Sequence, residues 1–125
     1  MGRLFNAVIQ NGYVVRNIGQ SMEYWIRDIG VGPFYFIEKA NIFDMRYRGE
    51  PTNAEISLAF AYFGDLQIEL IQQKNDAPST YRDFLDEGGE GLHHIAVRTD
   101  DLDLKRSQLA SLGFAEVQSG KGGEQ

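Results

Sequence analysis

The sequence predicts an α+β fold: paired βαβββ modules forming a cupped mixed sheet with helices on its outer face, the second module incomplete as βαβ. Three observations carry this expectation. Strand-like and helix-like segments follow one another in the order βαβββ, linker, βαβ. The stretch QNGYVVRNI from Gln10 lies over HIAVRTDDL from His94 at an offset of 94 − 10 = 84 residues, which is how an internal repeat reads. The strand faces also divide cleanly. Leu66, Ile68 and Leu70 fall on one side of a strand and Gln67 and Glu69 on the other, as a sheet covered on one face requires.

Each element has its own signal. Residues 6–16 are rich in β-branched and aromatic side chains and read as a strand. SMEYWIRDIG reads as a helix with Ser21 as N-cap, an apolar face of Met22, Trp25, Ile26 and Ile29, and Gly30 as its stop. PFYFIEKA is the second strand. A polar, turn-rich connection containing RGEPTN leads to the third strand, EISLAFAYFG. Gly64-Asp65 is a hairpin turn into the fourth, LQIELIQQ. The linker KNDAPST precedes a short helix, STYRDFLDEGG, closed by Gly88 or Gly89. LHHIAVRT is a strand. Asp100 or Asp101 caps the helix LDLKRSQLASLG, which presents Leu102, Leu109 and Leu112 on one side and stops at Gly113. FAEVQSG is a last short strand and KGGEQ a loose end. One domain over residues 1–125 is expected, with a first module at 1–73, a linker at 74–90 and a shortened second module at 91–125. The offset also places Asn17 on Asp101, whereas Gly30 and Gly113 differ by 83, so the second helix is one residue shorter.

Composition excludes several classes. Apolar residues make up 42% and aromatic residues 12% of 125, the mix of an ordinary globular domain. No apolar run approaches the roughly 20 residues of a membrane helix, and no signal peptide is legible. The chain has no cysteine, which excludes disulfides and thiolate-bound zinc, and a cytoplasmic location is the plain expectation. A net charge of −6 with no basic stripe argues against nucleic acid. Arg46 and Arg48 make the nearest basic cluster. They are candidates for an anionic group of a ligand, and equally read as a solvated loop.

Alternation places Gln10, Gly12 and Val14 on one strand face, Gln67 and Glu69 on another, and His94, Ala96 and Arg98 on a third. If these are the inner faces of a cup, Gln10, Glu69 and His94 converge, because a two-fold axis relating the repeats would bring Gln10 and His94 together. An amide oxygen, a carboxylate and an imidazole suit a divalent ion such as zinc, nickel, cobalt, manganese or iron. A half-buried histidine satisfying a hydrogen bond beside a solvent-facing glutamate would give the same pattern, so spacing alone leaves both readings open. Alternation turns His93 to the opposite face, with Ile95 and Val97.

GLHHIAVRTDDLD, GDLQIELIQ and QNGYVVRNI together resemble the vicinal oxygen chelate superfamily, which includes glyoxalase I, methylmalonyl-CoA epimerase, extradiol dioxygenases and bleomycin-resistance proteins. The resemblance implies paired βαβββ modules around a divalent metal held by Gln10, Glu69 and His94. It implies a fourth ligand near position 69 + 84 = 153, beyond Gln125, and hence a shortened member lacking full activity as it stands. It implies a lyase or isomerase acting on a small carbonyl or thioester through an enolate, with Glu69 as acid/base and Glu55 as a second candidate, and Arg46, Arg48 and Arg98 as substrate contacts. The alternative is a non-catalytic ligand-binding protein of the bleomycin-resistance type. Exposed sheet edges and apolar helix surface further predict a homodimer, with strand exchange as one form of it.

Overall fold

In the computed structural model, which describes residues 4–122, the chain runs β1 (Val8–Val14), α1 (Ile18–Tyr24), β2 (Tyr35–Ile37), β3 (Ile42–Tyr47), β4 (Glu50–Pro51), β5 (Ile56–Phe63), β6 (Leu66–Gln73), α2 (Thr80–Asp86), β7 (Gly91–Val97), α3 (Leu102–Ser111) and β8 (Gln118–Gly122). Five strands form an open mixed sheet in the order β2-β5-β6-β1-β7, and β4-β3-β8 form a small second sheet. β1 runs parallel to β6 and antiparallel to β7. β5 and β6 form the expected hairpin, with Phe63 opposite Leu66 and Gly64 at φ 63° in the two-residue turn, a conformation glycine adopts without strain.

The repeat is visible in the caps and in the register. The Asn17 side chain accepts from the Gln20 amide at the start of α1, and Asp101 accepts from Leu104 at the start of α3. Ser21 is therefore inside the first helix, which begins one turn earlier than the serine signal indicates. The extra residue of the first helix is absorbed as a wider π turn over Trp25–Ile29, closed by Gly30 at φ 84°; single-residue insertions commonly take this form. Between β1 and β7, Gln10 pairs with Ala96 and Gly12 with His94. Adding 84 to 10 and to 12 gives 94 and 96, so the pairing is symmetric about the Asn11–Ile95 pair.

The two faces of the large sheet are covered differently. On the outer face, Val15, Ile18, Val31, Ala59, Ala61, Ile68 and Leu70 form one buried cluster with Met22 and Trp25 of the first helix against it. Burial of each large aliphatic side chain contributes ~1.5–3 kcal/mol. On the inner face Val14, Ile56 and Ile71 form a second cluster under Tyr81, Phe84 and Leu85 of α2. The inner face is thus apolar and covered at one end, polar and open at the other.

Four segments differ from expectation. The polar connection at 41–54 contains β3 and β4, because β3 finds a partner in β8 more than seventy positions later, pairing Ile42 with Gly122 and Tyr47 with Gln118. PFYFIEKA shortens to Tyr35–Ile37, and FAEVQSG enters a strand only at Gln118. Of the loose end expected at 121–125, Lys121 and Gly122 belong to β8 and the rest lies outside the described residues.

Candidate functional site

Register across all five strands sets one row on the inner face: Tyr35, Phe60, Glu69, Gly12 and His94, on β2, β5, β6, β1 and β7. The next row carries Tyr62, Gln67, Gln10 and Ala96. Gly12 is the centre of this arrangement. Its missing side chain leaves room for the His94 ring to lie across β1; a Cβ at Gly12 would sit 2.3 Å from Cε1 and Nε2 of that ring. His94 Nε2 thereby comes within 3.4 Å of Glu69 Oε1, two strands away. Gln10 is the diagonal neighbour of both, a separation of roughly 7–8 Å between backbones, and its Nε2 donates to Gln67 Oε1 at 2.8 Å.

The Glu69 side chain is only 13% exposed and His94 is 32% exposed. A carboxylate so far withdrawn from water needs a positive partner, and a cation beside both groups would supply one. The donor types suit a divalent ion of the borderline class: an imidazole nitrogen and a carboxylate oxygen brought together across Gly12, with the amide of Gln10 on the neighbouring row. Among the described residues no three His, Cys, Asp or Glu side chains cluster, so a third donor beside His94 and Glu69 would have to be the amide of Gln10.

Two neighbours escaped the sequence reading. Tyr81 of α2 stands near Glu69, its phenol pushed up to about 12, first by burial and then by the Glu69 charge, with a Gln118 hydrogen bond acting the other way. It keeps its proton at neutral pH. His93 does not turn to the face of Ile95 and Val97. The register shift between Gly12 and Tyr13 leaves it unpaired, a bulge that re-aims a side chain, and its ring packs on Tyr81, Phe84 and His94. Burial, then the neighbouring His94, hold its pKa below the ordinary histidine value. The one available signal was the isolated glycine in a strand pattern at position 12, which marks a close approach.

The other candidates lie apart from Glu69 and His94. Glu55 precedes β5, ion-paired with Lys39 at 3.6 Å. It is five residues, ~17 Å of strand, from Phe60, the residue beside Glu69. Arg46 donates to the Gly49 carbonyl at 3.3 Å and faces Asp44 at 3.8 Å. Arg48 donates from Nε to the Tyr47 hydroxyl at 2.9 Å, and that hydroxyl also bonds Asp83 of α2. Arg98 is exposed and lines a cleft of about 500 Å³ with Leu4, Phe5 and Leu104, near the start of α3.

Several solved structures share this fold. A methylmalonyl-CoA epimerase from Mycobacterium tuberculosis has a TM-score of 0.62 at 22% identity, over 90% of this chain and 68% of that one. Hypothetical protein BH1468 from Bacillus halodurans C-125 has a TM-score of 0.62 at 19% identity, over 86% and 68%. A Streptomyces coelicolor methylmalonyl-CoA epimerase in complex with 2-nitronate-propionyl-CoA has a TM-score of 0.56 at 17% identity, over 87% and 71%. No curated protein matches the chain. A family model does, over residues 9–125, and with that span matched the chain belongs to the Glyoxalase/Bleomycin resistance protein/Dioxygenase superfamily.

Proposed function

We propose that this domain is a metal-dependent lyase or isomerase of the glyoxalase and epimerase kind, acting on a small carbonyl or thioester. The observation that carries the reading is the approach of His94 to Glu69 across Gly12, with Gln10 as diagonal neighbour. Gln10, Glu69 and His94 would hold a divalent ion of the zinc, nickel, cobalt, manganese or iron class. Bound there, such an ion supplies electrophilic stabilisation of the charge that develops on a carbonyl oxygen when an α-proton leaves. Glu69 is the group of the trio that takes up and returns that proton. Tyr81 keeps a neutral hydroxyl close by, and Phe60 and Tyr62 wall the open end of the cup. The small molecule enters from that open end, and the domain works as a homodimer.

A second reading rests on the same wall. Tyr35 and Tyr62 are 63% and 65% exposed, and together with Phe60 they form an aromatic platform that would bind a ligand without any reaction, in the manner of a resistance protein. Metal content separates the two. Protein purified without chelator is expected to retain a divalent metal, and His94→Ala to lose it; equal metal in both would overturn the assignment. With metal bound, exchange of the α-proton of a 2-methyl thioester into deuterated water is expected, and Glu69→Gln should abolish it.

A further inference from the structure

The two adjacent histidines are chemically joined. The bulge in β7 leaves His93 without a partner on β1 and turns its ring to the side of the sheet that carries His94. α2 holds it there, with Tyr81 and Phe84 at centroid distances of 5.5 and 5.0 Å. Nδ1 of His93 then lies 2.9 Å from Nδ1 of His94. Two imidazole nitrogens in that contact need one proton between them, one ring donating and the other accepting.

Which ring donates follows from the far side of His94, where Nε2 lies 3.4 Å from Glu69 Oε1. A nitrogen that shares a cation with that carboxylate must keep its lone pair. A neutral His94 then carries its proton on Nδ1 and donates it to Nδ1 of His93. His93 accepts there, so its own proton is on Nε2. A lone pair and a carboxylate directed at one point form a stable pair when a positive centre lies between them.

We propose that His93 is a positioning residue: it fixes the His94 ring across Gly12 in the Nδ1–H tautomer, so that Nε2 and Glu69 face a divalent cation together. Packing alone does not explain the bulge, since a phenyl ring would fill the space between Tyr81 and Phe84 equally well. What phenylalanine lacks is the nitrogen that reads the proton of His94. Hydrogen bonds of this kind behind a metal-binding histidine fix its tautomer and raise its basicity. The inference rests on the metal-site reading above, and the tautomer it requires can be measured in the metal-free protein.

The test is a long-range proton–nitrogen NMR spectrum of the full metal-free chain at mildly alkaline pH, where the chain's 2 histidines are readily told apart. His94 is expected to carry its proton on Nδ1 and His93 on Nε2. In His93→Phe, His94 should lose that fixed form, and Co²⁺ affinity by calorimetry should fall ~10–100-fold. His93→Asn, whose Oδ1 can accept from His94, should restore most of both. A wild-type His94 protonated on Nε2 overturns the proposal, even if the phenylalanine variant fails to fold. So does a folded His93→Phe with unchanged tautomer and Co²⁺ affinity. A wild-type chain that binds no Co²⁺ sinks the metal reading instead, and the tautomers still decide the role of His93.

Discussion

A methyl group at position 12 would stand 2.3 Å from two atoms of the His94 ring, well inside van der Waals contact. Two effects then compete in Gly12→Ala. Relieving the glycine of its backbone freedom would stabilise the strand by ~0.5–1 kcal/mol. Overpacking a buried position costs ~1–3 kcal/mol, and the ring is held on its other side by His93. The clash should win, so urea unfolding is expected to show a net loss of about 1–2 kcal/mol, together with loss of Co²⁺ binding as His94 swings away. A stabilised variant with intact binding would show that the ring yields freely and that the cradle is not a designed feature. At this scale the shared face of Gln10, Glu69 and His94 was legible because strand alternation assigns faces without knowledge of partners. His93 was not, because a bulge breaks alternation at one residue and leaves no periodic trace. Tyr81 was not, because nothing local says that a helix after a linker returns to the inner face.

The linker helix is where sequence and site meet at the next scale. Ser79 is fully buried; its Oγ accepts from the Arg82 amide at 2.9 Å and donates to the Gln73 side chain at the end of β6. One hydroxyl therefore caps α2 and ties it to the strand that carries Glu69. Ser79→Ala is expected to cost about 1–2 kcal/mol in thermal or chemical unfolding, the upper part of the range for a cap, because it also strands the Gln73 amide. A loss under a few tenths would mean that water replaces the hydroxyl at both ends. Elements with local signals could be read in advance: the Gly64-Asp65 hairpin, the Gly30 stop and the Asp101 cap. Those made by distant pairing could not. β3 reads as a polar connection because its order comes from β8, and Asp44 and Arg48 within and after it adopt positive φ of 52°, which no strand propensity anticipates.

At the scale of the molecule the two halves of the repeat differ in how well they are covered. The first helix packs on a buried cluster, while α3 contributes no buried residue among those described. Leu92 and Ile95 on the outer face of β7 are 54% and 58% exposed, and Leu102, Leu112 and Phe114 are 57%, 62% and 64% exposed. β7 is also an edge of the large sheet, and an uncovered edge with apolar side chains is a template for another chain. Side chains of this size contribute ~1.5–3 kcal/mol each when fully buried, so covering four or five of them would supply the free energy of a stable dimer even after the cost of association. Self-association through β7 and α3 is the expected outcome. Sedimentation at micromolar concentration should give a dimer for the wild-type chain, and Ile95→Lys, which points away from Glu69 and Gly12, should give a monomer that still binds Co²⁺. A wild-type monomer would refute association. A dimer that survives Ile95→Lys would place the interface on another surface, while loss of Co²⁺ in the monomeric variant would tie assembly to the metal site itself.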